Sequence, residues 1–147
     1  MGELRQNVFF NTYYYGRSIL EFVQILVSHG VKTLVDTRSK PTSRRYEFDG
    51  QNLARSLAEH YIVYIGAPQL GCPVTLRLRA WRRGDYKELW DWYTKNVLAG
   101  PLWDFIKELA SYPKPVAFMC VERDPALCHR HLIADALKRV GYKVIDI

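Results

Sequence analysis

Two thiols, two imidazoles and two guanidiniums fall within Met119-Cys120-Val121-Glu122-Arg123-Asp124-Pro125-Ala126-Leu127-Cys128-His129-Arg130-His131. Cys120 or Cys128 offers a nucleophile once ionised. His129 has an ordinary pKa near neutrality and so can move a proton, although it also reads as a helix-capping imidazole. Glu122 supplies a second proton-handling group, and Arg130 a forked donor that matches phosphate or carboxylate. For Cys120 the simpler reading is an inert thiol at the end of a buried strand. Asp124-Pro125 predicts a helix N-cap followed by a first-turn proline, which places Cys128 to His131 in the first two turns. Cys128 and His131 then share a face with Asp135 one turn on. Zinc needs three or four ligands, and no second cluster has ligand spacing, so no metal and no cofactor are assigned.

A second polar segment, Asp36-Thr37-Arg38-Ser39-Lys40-Pro41-Thr42-Ser43-Arg44-Arg45, is poor in apolar residues and rich in turn formers, and predicts an exposed loop. Arg38, Arg44, Arg45 and Arg130, with Arg17, suit a phosphate group better than a metal. Asp36 either orients Arg38 or Arg130 as an ion pair, or hydrogen-bonds a ribose hydroxyl or polarises a water. A third segment, Arg77-Leu78-Arg79-Ala80-Trp81-Arg82-Arg83, carries four arginines and an indole, with no acid before Asp85. Arg77, Arg79, Arg82 and Arg83 can neutralise phosphates and Trp81 can stack on a base, although a solvated basic face is the simpler reading. The net charge of +6 favours polyanionic partners.

The elements that must position these groups follow from periodicity. Val8-Phe9-Phe10 opens a first strand that ends at Gly16. Ser18 and Glu21 form a capping box for a helix with Ile19, Phe22, Val23 and Leu26 on one face, stopped by Gly30. Thr33 to Val35 is a second strand ending at Asp36, and a helix with Leu53 and Leu57 inward leads to a third strand, Ile62 to Ile65. Gly71, Pro73 and Gly84 predict a loop or irregular excursion from Pro68 to Arg83. Tyr86, Leu89, Trp90, Tyr93 and Val97, then Leu102, Phe105, Ile106 and Leu109, recur at helical spacing and predict core-facing helices. Val116 to Cys120 is a fourth strand, followed by a helix with Leu132, Ile133, Ala136, Leu137 and Val140 inward and a last strand from Lys143 to Ile147. This alternation predicts one α/β domain over residues 1–147, a mostly parallel sheet of about five strands with helices on both faces in a Rossmann-like, three-layer arrangement. Ligands of such sheets bind beyond the carboxyl ends of the strands, where the loops after strands one, two and four should meet. Three irregularly spaced cysteines, no signal-peptide pattern and no apolar run near the roughly 20 residues that cross a bilayer fit a cytoplasmic protein with reduced thiols and no membrane partner.

Leu34-Val35-Asp36-Thr37-Arg38 with Pro41 and Ser43-Arg44, then Gln69-Leu70-Gly71, then Met119-Cys120 to Cys128-His129-Arg130, resemble the markers of the domain-of-unknown-function 488 family. The resemblance runs from about Thr12 to Ile147 and implies an α/β fold with a polar cleft. Tyr14 stands where that family carries a glycine. A fainter similarity is to rhodanese-like sulfurtransferases and dual-specificity phosphatases, which also pair an aspartate-arginine strand end with a later strand ending in cysteine. Three readings follow. The first is a cleft binding a phosphate-containing ligand, nucleotide or nucleic acid, through Arg38, Arg44, His129 and Arg130. The second is a thiol-dependent enzyme using Cys120 or Cys128, and the third a non-catalytic nucleic-acid module using Arg77 to Arg83.

Overall fold

The computed structural model describes residues 7–123 and 127–147. Among them the chain forms five strands and six α-helices. Strands β1 (Val8–Tyr13), β2 (Thr33–Asp36), β3 (Val63–Gly66), β4 (Val116–Cys120) and β5 (Lys143–Asp146) build one sheet in the order β3-β2-β4-β1-β5. Every neighbouring pair is parallel. The α/β architecture expected from the alternating pattern is therefore the one observed.

Side-chain alternation divides the core in two. Phe9, Val35, Val116 and Phe118 face one side, and Phe10, Leu34, Ala117 and Met119 the other. Helices α1 (Ile19–Ser28) and α2 (Gly50–Ala58) cover the second face with Phe22, Val23, Leu26, Leu53 and Leu57. Helices α3 (Val74–Arg83), α4 (Lys87–Tyr93), α5 (Pro101–Glu108) and α6 (Arg130–Arg139) cover the first. The capping box at α1 forms: the Glu21 amide donates to Ser18 Oγ at 3.0 Å, and the Ser18 amide to Glu21 Oε1 at 3.3 Å. No helix among the described residues is long and apolar enough to cross a membrane.

The winding makes the site. From β1 the chain moves outward through β2 to β3 by helices on one face, then returns by the other face to β4, which inserts between β2 and β1. The helices that follow β1 and β2 thus lie on the opposite side from the helix that follows β4. At such a reversal the connections part and leave a crevice above the carboxyl edge. β4 is buried along its whole length, and Cys120 is its last residue.

Two expectations are corrected. Pro68 to Arg83 is not irregular throughout, because α3 occupies Val74–Arg83 and ends on Gly84 in the left-handed conformation. Only Ala80 of this helix is fully buried, so it carries almost no apolar stripe. Its signal is the high intrinsic helix propensity of Leu, Arg and Ala. The helix after β4 begins at Arg130, so Cys128 and His129 precede it rather than lying in its first turns. The expected cap at Asp124-Pro125 lies outside the described residues.

Gly71 shows why the segment after β3 sits where it does. A Cβ on it would fall 2.5 Å from the Ser39 amide nitrogen and 2.7 Å from Ser39 Cα, so only glycine lets the two loops touch. Gly71→Ala should lower stability by about 1–3 kcal/mol through overpacking against backbone. Urea denaturation measures this, and an unchanged midpoint would show that the loops can part without loss.

Candidate functional site

The end of β2 holds a buried ion pair. Asp36 and Arg38, two residues apart, meet through Nη2 to Oδ2 at 2.7 Å and Nε to Oδ1 at 2.9 Å, and the Arg38 amide donates to Oδ1 at 3.1 Å. The Tyr64 hydroxyl donates to Oδ2 at 2.6 Å, and Arg38 Nη1 reaches the Tyr14 hydroxyl at 3.3 Å and the Thr42 carbonyl at 3.4 Å. Burial works against the Arg38 charge, yet the hydrogen bond and charge of Asp36 win and raise its pKa. Burial, then the hydrogen bond to Asp36, pushes the Tyr64 hydroxyl above its usual range. Asp36 therefore serves as the counter-ion of Arg38. Tyr14 is buried, stacks on Phe48 at 4.3 Å and helps to fix the same guanidinium.

The other arginines expected at a phosphate are placed differently from that expectation. Arg130 is 1% exposed; its Nη1 donates to the Thr12 carbonyl at 2.6 Å and its Nη2 to the Glu122 carbonyl at 2.5 Å. Arg17 Nη1 donates to Thr12 Oγ1 at 3.1 Å and to the Tyr13 carbonyl at 3.0 Å. Arg45 donates to the carbonyls of Tyr14 and Arg17 and lies 4.5 Å from the Phe48 ring. Arg44 is exposed, as is Glu122, whose carbonyl rather than carboxylate takes part. Arg38 thus turns inward on the Asp36 carboxylate, while Arg130, through its two Nη atoms, Arg17 and Arg45 turn to carbonyls at the carboxyl ends of the strands, which need donors; Arg130 Nε has no partner among the described residues.

Sulfur and imidazole meet at the end of β4. The coordinating atoms of Cys120, Cys128 and His129 all lie within 4.8 Å of one another, and all three residues are buried. Cys72 is buried as well and lines the same pocket as these three. His129 Nε2 lies 3.1 Å from the Thr37 carbonyl and 3.0 Å from Thr37 Oγ1, whose own hydrogen is given to the Met119 carbonyl at 2.9 Å. Both Thr37 oxygens can then only accept, so Nε2 carries the hydrogen. Nδ1 is left facing Cys128 Sγ at 3.7 Å, free to exchange a proton or to hold a metal. The Cys128 hydrogen bond, then burial, pushes the Cys120 thiol up. Burial opposes ionisation of Cys128 too, but the Cys120 hydrogen bond and the charge and amide of Arg130 outweigh it and hold that thiol below its ordinary value. His129 is raised despite its burial, by Cys120, Cys72 and the Thr37 carbonyl.

The metal grouping weighed from the sequence, Cys128 with His131 and Asp135, does not form. His131 Nδ1 lies 2.6 Å from the Cys128 carbonyl and its ring packs edge-on against Trp90, while Asp135 is exposed. The cluster that does form was hidden because Cys120 and Cys128 are joined only by folding and Thr37 lies 92 positions from His129.

Above the sulfurs opens a pocket of about 300 Å³, lined by Cys72, Cys120, Cys128 and His129 below and by Arg77, Trp81, Tyr86 and Trp90 at the sides. Tyr86 and Trp90 stack on each other at 5.4 Å and pack, half-buried, against the core that Leu89, Tyr93 and Val97 enter fully. Arg77, Arg82 and Arg83 are exposed on α3, and Arg79 pairs with Glu88 at 2.5 Å on the surface.

Fold and site together define a doubly wound parallel α/β domain with a thiol and imidazole pocket beyond the end of its central strand. The chain matches the family described as Domain of unknown function DUF488 over residues 18–137, and it belongs to that family. The match gives no support to the fainter rhodanese likeness. No curated protein and no solved structure matches the chain.

Removing the Asp36 carboxylate leaves the Arg38 charge buried without its counter-ion. Asp36→Ala should destabilise the protein by about 3–5 kcal/mol, and Tyr64→Phe, which removes one hydrogen bond to that carboxylate, by about 1–3 kcal/mol. Chemical denaturation of both variants checks the order; equal losses would show that the ion pair does not hold the loop.

Proposed function

We propose that the chain binds a phosphate-bearing ligand with a flat ring, a nucleotide either free or within a nucleic-acid strand, in the pocket between α3, α4 and the end of β4. The observation that carries this reading is Trp81, 71% exposed and lining the pocket with Arg77, on a helix that carries the exposed Arg82 and Arg83 just outside it. An aromatic face is sequence-tolerant toward bases, and neighbouring guanidiniums suit the phosphates that accompany them. Its volume lies at the small end of ligand clefts, which suits one ring and excludes a duplex. This reading moves the anion contacts from the strand ends, where Arg38 and Arg130 are occupied, to α3. Arg44 stays available as a further contact through its exposure.

A second reading, a thiol-dependent enzyme with Cys128 as nucleophile, is favoured by the 3.7 Å approach of His129 Nδ1 to its sulfur. Against it stands the burial of all three sulfurs, Cys72, Cys120 and Cys128, at 5% exposure or less, since a nucleophile must reach its substrate.

Fluorescence anisotropy with a labelled single-stranded oligonucleotide tests the first reading. Affinity should fall steeply with added salt, Trp81→Ala should weaken binding by about tenfold to a hundredfold, and Arg77→Ala or Arg83→Ala should each reduce the salt slope by about one. Competition by a mononucleotide tells a free nucleotide from a strand as the preferred ligand. A wild-type protein that binds neither, or binds with no response to salt, overturns the reading.

A further inference from the structure

We infer that Cys120, Cys128 and His129 form a zinc site, binding one Zn²⁺ through two thiolates and the Nδ1 of the imidazole, with the fourth position open to the pocket. The inference rests on the floor of the pocket alone and holds whatever the aromatic walls accept.

Geometry is the first ground. Zinc holds sulfur at about 2.3 Å and nitrogen at about 2.0–2.1 Å, and a tetrahedron with those arms separates its ligand atoms by roughly 3.5–3.8 Å. Cys128 Sγ and His129 Nδ1 stand 3.7 Å apart, and all three coordinating atoms fit within 4.8 Å. Small side-chain adjustments bring them onto a common ion, and no strand or helix has to move.

The orientation of the imidazole is the second. A metal-bound histidine normally donates its remote N–H to a carbonyl or carboxylate, which fixes the ring and strengthens the ligand. His129 has that partner already: Nε2 donates to the Thr37 carbonyl, and Thr37 is anchored in turn on the Met119 carbonyl through its amide at 3.1 Å and its hydroxyl at 2.9 Å. The supporting shell is thus built from β2 and β4, the two most buried strands of the sheet.

Charge and softness supply the third. Two thiolates cancel the dication and a neutral imidazole adds nothing, so the ion with its three ligands carries no net charge, which limits the cost of burying it beside the Arg130 cation. The proton of each bound thiol leaves to solvent when the metal enters. Thiolate and imidazole ligands select zinc over magnesium or calcium, which prefer oxygen. Three protein ligands with a vacant fourth direction toward a cavity is also the pattern of zinc sites that act on a bound molecule rather than merely brace a fold. Cys72 lines the same pocket but falls outside the three-atom group, so it is not counted among the ligands.

The full-length protein, reduced and stripped with a chelator, is titrated with Co²⁺ and then with Zn²⁺. The expected result is a thiolate-to-cobalt charge-transfer band with the intense visible bands of tetrahedral cobalt, saturating at one ion per chain and abolished by zinc. Cys120→Ser, Cys128→Ser and His129→Ala should each weaken zinc binding by more than about 100-fold, beyond the loss typical of a supporting residue. Cys72→Ser and His131→Ala should retain the wild-type affinity. A wild-type protein that gives no such spectrum, or an octahedral one, overturns the assignment without reference to any variant. So does rapid alkylation of Cys128 that zinc fails to slow, which returns the sulfur to the role of free nucleophile. Loss of cobalt binding in Cys72→Ser as complete as in Cys128→Ser overturns the open position. Failure of the oligonucleotide to bind leaves the metal result untouched, so the two readings fail separately.

Discussion

Parallel strands that end together leave a row of backbone carbonyls pointing out of the sheet, and in this protein that row is buried. Each carbonyl then needs a donor, because a buried acceptor without one costs about 1–3 kcal/mol. The Thr12 carbonyl takes Arg130, Tyr13 takes Arg17, Tyr14 takes Arg45, Met119 takes Thr37, and the Thr37 carbonyl takes His129. Asp36 gives its carbonyl to the Ala67 amide and its carboxylate to Arg38. The polar residues that crowd the carboxyl edge are there first to satisfy the sheet. What is left over, the sulfurs, Nδ1 of His129 and the aromatic walls, is what the site can use.

This explains how a sequence can show the right residues and mislead about their direction. Arg38, Arg130, Arg17 and Arg45 carry charge that the sequence displays plainly, but whether a guanidinium faces water or a backbone carbonyl depends on which strand ends beside it. Asp36 and Arg38 were legible as a pair, being two apart at a strand end. The sheet and five of its six helices were legible too, since Phe22 with Leu26, Leu53 with Leu57, Leu89 with Tyr93, Leu102 with Phe105, and Ile133 with Leu137 keep helical spacing around apolar strands. α3 was not, because it buries little beyond Ala80 and leans on propensity instead of pattern. Nor was the role of Thr37 or Cys72, whose partners lie in remote parts of the chain.

The family match begins at Ser18, after β1 has ended. Yet β1 lies inside the sheet, paired on one side with β4 and on the other with β5, and it contributes Thr12 and Tyr14 to the satisfied edge. The tyrosine at position 14 is built into that edge from both sides, stacked on Phe48 and bonded through its hydroxyl to Arg38. A glycine there would leave a gap against Phe48 and one donor of Arg38 without its acceptor. Tyr14 thus closes the end of the first strand.

Closure on that side gives weight to the seam where Gly71 lies flat on Ser39. The segment after β3 has no slack there: it carries Leu70 on one side of the seam and Cys72 on the other, while Ser39 follows directly on Arg38. Ser39 and the turn that carries Cys72 are thereby held in direct backbone contact. The turn that lines the pocket is in this way registered to the Asp36–Arg38 pair, whose intervening residue, Thr37, is also the partner of His129.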